Sequence, residues 1–285
     1  MTTATMAPRF ETRAVAAVAR KELRDAVRNR WFWLYAAGFA ALAAALTTLA
    51  LPGARIAGYG AFGRSASSLI ALSQLVVPLM GLTLGAQALS AQQDRRTLHF
   101  LLAHPISRTE VFVGTYLGLV TALMATVAAG FGVAGVGTAL RGGAADAGIF
   151  VRIAVLSWIL AAIALGVGML IGAIARRTTV AVGAALFAWI GLVFLGDLGL
   201  MGTAVSTRLS VDALFLSAVA NPVEAFRLLA LTAFDASLDV LGPAGTYAID
   251  RFGNSLDTLL FASLALWLIV PATVAWLRFS KGKDL

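Results

Sequence analysis

Six apolar runs, each almost free of charge and separated by cation-bearing gaps, constrain this chain more than any other feature. They lie near residues 31–51, 68–89, 111–140, 149–174, 180–195 and 256–277. About 20 helical residues cross the roughly 30 Å of a bilayer's hydrocarbon core, and only helices or closed barrels satisfy their backbone there. The pattern therefore predicts an all-α, polytopic membrane protein with six transmembrane helices, residues 1–285 forming one transmembrane domain. Charged residues are 13% of the chain, about half the share of a soluble domain, which agrees. Pro78 and Pro271 fall inside runs and are expected to kink their helices rather than end them.

The net charge of +8 does not point to nucleic acid, because the cations sit in the gaps between runs rather than on a soluble face. Counted on alternate sides of six spans, fifteen Lys and Arg fall on the side of the termini and seven on the other. The positive-inside rule then puts both termini in the cytoplasm, as in a bacterial inner membrane. Residues 9–30 precede the first run as an amphipathic helix. Val15, Val18, Ala19, Leu23, Ala26 and Val27 gather on one side and Arg13, Arg20, Lys21, Arg24 and Arg28 on the other, the pattern of a helix at a bilayer surface.

Two segments outside the runs ask for a purpose. Residues 92–108, QQDRRTLHFLLAHPISR, lie on the cytoplasmic side, with Leu98, Leu101 and Leu102 forming an apolar stripe at helical spacing. Pro105 stops that helix, and Ser107 with Glu110 reads as a capping box that starts the next. Residues 196–255 lie outside, far longer than an ordinary loop. Within them LFLSAVANPVEAFRLLALTAF resembles a seventh span. Asn221–Pro222 breaks it, however, and Glu224 and Arg227 would each cost about 2.5–3.5 kcal/mol at the bilayer centre. Two amphipathic helices on the outer surface are expected instead.

The chemistry in the chain is sparse. It has no cysteine, no nucleotide-binding P-loop, and only two histidines, His99 and His104, too few for a metal site. Met80, Met124 and Met169 fit core packing better than a copper path. Gly81/Gly85, Gly114/Gly118 and Gly168/Gly172 each fit G-x-x-x-G, but 28 glycines would give about three such pairs by chance. No paired acids suggest an intramembrane enzyme. The spans also lack the carboxylate that an ion-coupled transporter places near the midplane. Energy must then enter from a partner, and an energy-independent scaffold or channel would leave the segment at 92–108 without a task.

KELRDAVRNRWFW (residues 21–33) resembles the leading helix of type-two ABC exporter permeases. TLHFLLAHPISRTEVFVGTYLG (residues 97–118) is similar to the segment joining their second and third spans, departing from it at Arg96, His99 and Thr115. The resemblance implies a permease that is not itself an enzyme, paired with a second copy and with a cytoplasmic ATPase subunit that binds ATP and Mg; the chain itself would bind no cofactor. It also implies that Arg95, Thr97, Leu98, Leu101, Leu102, Pro105 and Ile106 dock on that ATPase. ANPVEAFRLLAL (residues 220–231) followed by LGPAG is similar to the permeases that mature nitrous-oxide reductase. This narrower likeness implies a periplasmic partner at Asn221, Pro222, Glu224, Phe226, Arg227 and Leu228, and a role in assembling a copper centre. An exporter of a drug, lipid or peptide is the alternative.

Overall fold

The structure is a computed structural model, which describes residues 11–50, 61–94, 107–139, 147–175, 177–205, 211–232 and 253–281. Among them there is no strand. The helices are α1 (Thr12–Arg28), α2 (Arg30–Ala50), α3 (Ala61–Asp94), α4 (Arg108–Ala139), α5 (Ala147–Ile174), α6 (Thr178–Val205), α7 (Val211–Ala220), α8 (Pro222–Leu231) and α9 (Leu256–Lys281), with a 3-10 turn at Gly253–Ser255 before α9. Within α3, α4, α5 and α9, four segments are long and apolar enough to cross a membrane: Ser67–Gln92, Arg108–Ala139, Gly148–Ile174 and Leu256–Lys281. The fifth expected run gives a shorter apolar stretch, Thr178–Phe194, at the start of α6. Pro78 and Pro271 sit inside α3 and α9, and both helices continue through them.

A bend of 68° separates α1 from α2. Asn29 takes an extended conformation, its N–H closing back on the Ala26 carbonyl. The indole N–H of Trp33 then donates to the Val27 carbonyl at 2.7 Å, satisfying an acceptor that the end of α1 leaves open. The apolar face of α1 is turned to the protein rather than to lipid. Val15, Val18 and Ala26 are buried, and Val18 lies where a side chain on Gly114 of α4 would have to go. About one helical turn later, Ala19 and Glu22 crowd Gly118 in the same way. The cationic face, Arg13, Arg20, Lys21, Arg24 and Arg28, remains exposed.

Contacts between helices fix their directions. Gly81 meets Ala161 and Ala164, Gly85 meets Leu165 and Met169, and Gly172 meets Ala86, so α3 and α5 run parallel with their backbones nearly touching. A Cβ on Gly81 would lie 2.7 Å from the Cβ of Ala164, and one on Gly172 would lie 2.5 Å from the Ala86 carbonyl oxygen. This is the close approach that small residues permit between apolar helices, where packing rather than water exclusion holds them together. α2 packs on α4, with Phe39 filling the space left by Gly130 and meeting Phe131 at 6.2 Å. α9 runs beside α5 and against α4, as the bonds at its two ends show below. Met80 and Met169 are packed in the core.

Among the described residues of the segment at 196–255, α7 and α8 are the two helices expected, broken at Asn221, but not placed as expected. α8 does not rest on a surface; it is inserted among α3, α5, α6 and α9. Val223, Ala225, Phe226, Leu229 and Ala230 are buried. The sequence-based objection was the cost of Glu224 and Arg227 in hydrocarbon. It is met inside the protein, because the Gln74 amide on α3 donates to Glu224 at 3.3 Å and Arg227 lies 3.9 Å from the same carboxylate. The charge faces protein partners, so the insertion penalty for a lipid-facing residue does not apply.

Candidate functional site

One carboxylate ties three parts of the chain together where α4 begins. Ser107 caps α4: its hydroxyl accepts from the Glu110 N–H at 3.2 Å, and Glu110 Oε2 accepts from the Ser107 N–H at 2.7 Å and from its hydroxyl at 2.8 Å. That is the capping box read from the sequence. The other oxygen, Oε1, accepts from the backbone N–H of Glu11, the residue that begins α1. Glu110 is 1% exposed, so both helix starts depend on a group shielded from water.

α9 ends at the same place. Trp276 Nε1 donates to Thr109 Oγ1 at 3.1 Å, Arg108 donates to the Phe279 carbonyl at 3.4 Å, and the rings of Phe112 and Phe279 lie 6.0 Å apart. α1, α4 and α9 thus converge on the residue that follows the segment at 95–106. Arg95, Thr97, Leu98, Leu101, Leu102, Pro105 and Ile106 lie outside the described residues, as do His99 and His104. What the structure describes is the residue that follows them, Ser107, joined through Glu110 to the start of α1. Thr115, where the family pattern has lysine, is fully buried on α4. A cation there would need a buried counter-charge.

At the opposite end, polar bonds hold α8. Asn221 caps it by accepting from the Val223 N–H at 2.9 Å, and its amide donates to the Leu192 carbonyl on α6 at 2.7 Å. Ser263 and Trp267 of α9 donate to the Val219 and Ala220 carbonyls at 2.6 Å and 2.9 Å, satisfying the end of α7. Arg152 of α5 donates to Thr232 and pairs with Asp257 of α9, both at 3.1 Å. That pair is more than a third exposed and contributes little by itself. Of the residues expected to meet an outer partner, Pro222, Glu224 and Phe226 are buried against the chain's own helices, while Asn221, Arg227 and Leu228 remain partly exposed. Asn221→Ala removes both a cap and a tether to α6; it is expected to lower stability by about 1–2 kcal/mol, measured as thermal unfolding in detergent.

Among the described residues no three His, Cys, Asp or Glu side chains converge on a point that could hold a metal ion. Sequence reading missed the Glu11–Glu110 bond, which spans 99 residues and leaves no local signal. It also missed Gln74 as the partner of Glu224.

The described residues form a helical bundle with segments long and apolar enough to cross a membrane, and comparison with known proteins gives its class. The profile of the ABC-2 family transporter proteins matches residues 16–285, so the chain belongs to that family. It is a multi-pass membrane protein of the permease type, and in this family the ATPase is a separate function from the membrane subunit. The chain is 28% identical to the probable ABC transporter permease protein NosY of Stutzerimonas stutzeri over 266 residues, 91% of this chain and 90% of that protein. It is 29% identical to the NosY of Pseudomonas aeruginosa over 256 residues, 88% of this chain and 92% of that one.

Proposed function

We propose that the chain is the permease of a maturation system for nitrous-oxide reductase, in which a NosF-like ATPase in the cytoplasm drives it and a NosD-like protein meets it in the periplasm. The observation that carries this reading is likeness to two NosY proteins along nearly their whole length, the segment 220–231 included. In this reading two copies form the membrane unit, each crossing the inner membrane six times with both termini in the cytoplasm. The segment at 95–106 docks on the ATPase through Leu98, Leu101 and Leu102, with Arg95, Thr97, Pro105 and Ile106 shaping it. ATP and Mg bind to the partner, none to this chain. Motion enters at Ser107–Glu110, spreads through α1, α4 and α9, and arrives at α8, where Asn221, Arg227 and Leu228 are open to a periplasmic protein. Pro222, Glu224 and Phe226 support that face from inside.

Replacing Leu98, Leu101 and Leu102 together by Asp is expected to abolish copurification of the ATPase and to reduce permease-stimulated ATP hydrolysis at least tenfold. Unchanged binding and stimulation would sink the docking assignment. The maturation role is tested by expressing the chain in a host that lacks its own maturation permease, and scoring the copper centre of the reductase by its absorption spectrum. A chain that restores ATPase coupling but not the centre would support the alternative, an exporter of a drug, lipid or peptide.

A further inference from the structure

An open groove of about 660 Å³ runs between the end of α5 and the start of α6, a volume within the range of small-molecule sites. Ile171, Ile174 and Ala175 form one wall, Val180 and Ala184 the other, and Arg177 stands at its mouth. Ile174 and Val180 are 60% and 59% exposed, so the walls are apolar surface that no part of the described chain covers. Because α5 runs parallel to α3 and α9, this mouth lies at the end of the bundle where α1 presents its cations and where Arg278 and Lys281 close α9. Arg177 is exposed and makes no ion pair among the described residues.

In a membrane the fluid that fills an apolar groove on a helix surface is lipid, and a cation at the rim selects among headgroups. Basic pockets between membrane helices take anionic lipids for this reason. We propose that the groove holds an acyl chain of one anionic glycerophospholipid, its phosphate paired with Arg177. The two chemistries divide the site: Ile171, Val180 and Ala184 recognise any chain, and Arg177 supplies the preference for negative charge. A soluble partner fits less well, because the lining is apolar on both helices apart from Arg177. The proposal rests on the chain's membrane embedding and not on which substrate or reductase it serves, so it can fail without touching the maturation reading.

Native mass spectrometry of the delipidated full-length permease tests it, using titrations with dioleoylphosphatidylglycerol and dioleoylphosphatidylcholine. Wild type is expected to bind one phosphatidylglycerol per chain at least five-fold more tightly than phosphatidylcholine, the contribution of one cation near an anionic headgroup. Arg177→Ala should erase the difference and Arg177→Lys should keep it. Ala184→Trp, which fills the groove, should weaken binding of both lipids, and Val180→Trp gives the same block from an exposed position should the first variant fold poorly. Glycerol phosphate, a headgroup without chains, should not displace the lipid. Wild-type preference in Arg177→Ala would overturn the proposal, as would unchanged binding in a folded tryptophan variant. So would efficient cross-linking of Val180→Cys to a second copy of the chain, which would show protein in the groove.

Discussion

Gly85→Val and Gly168→Val are expected to keep the protein from accumulating in folded form. A Cβ on Gly85 falls against the Leu165 carbonyl oxygen and the Met169 nitrogen, and one on Gly168 falls against the Leu82 carbonyl. These neighbours are backbone in the middle of two long helices, so no rotamer change relieves the clash; α3 and α5 must move apart. Overpacking of a tight core costs about 1–3 kcal/mol when side chains can yield, and the upper end or more applies here. Separation also loosens the contacts that α5 and α3 make with α8 and α9. Gly132→Val and Gly183→Val are the controls, because a Cβ at either meets nothing within 4 Å. They should change stability by no more than about 0.5 kcal/mol. Fluorescence-detected size exclusion after heating in detergent separates the pairs: the first two should elute as aggregate or not at all. Wild-type elution of either would show that α3 and α5 do not pack through these glycines.

The same glycines show what could be read from the residues and what could not. Three G-x-x-x-G pairs among 28 glycines carry no statistical weight, yet two face each other across α3 and α5 and the third receives α1. The periodicity locates small residues on a helix; which helix arrives opposite them depends on the whole bundle. Hydropathy and capping are local, so the apolar helices, the Ser107–Glu110 box and the break at Asn221 were legible. The position of α8 was not. Its carboxylate made it look unfit for an apolar site, and the group that accommodates that charge, Gln74, is 150 residues away. The face of α1 misled for a related reason: an amphipathic helix beside a membrane reads as lipid-bound unless the cleft offered by Gly114 and Gly118 is known.

Glu110→Ala is expected to loosen the start of α1 and the start of α4, where Glu110 joins them. The alanine removes the charged acceptor shared by the Glu11 and Ser107 N–H groups, at about 1.5 kcal/mol for each hydrogen bond. The total, about 3 kcal/mol, corresponds to roughly a hundredfold faster exchange of the amides that begin α1 and α4. Glu110→Gln keeps one carbonyl oxygen and gains a donor, so it can serve Ser107 or Glu11 but not both, and should fall between alanine and wild type. Ser107→Ala removes only the reciprocal cap, about 1 kcal/mol, and leaves Oε1 on Glu11. Exchange at α1 should therefore follow the order Glu110→Ala, Glu110→Gln, Ser107→Ala, whereas a role confined to capping α4 would make alanine at 107 and at 110 equivalent. Permease-stimulated ATP hydrolysis should fall in the same order while ATPase binding persists, because the leucines proposed to bind the partner are untouched. Loss of binding in Glu110→Ala would mean that the carboxylate shapes the docking segment itself. Intact stimulation with a loosened α1 would mean that the N-terminal helix takes no part in the drive.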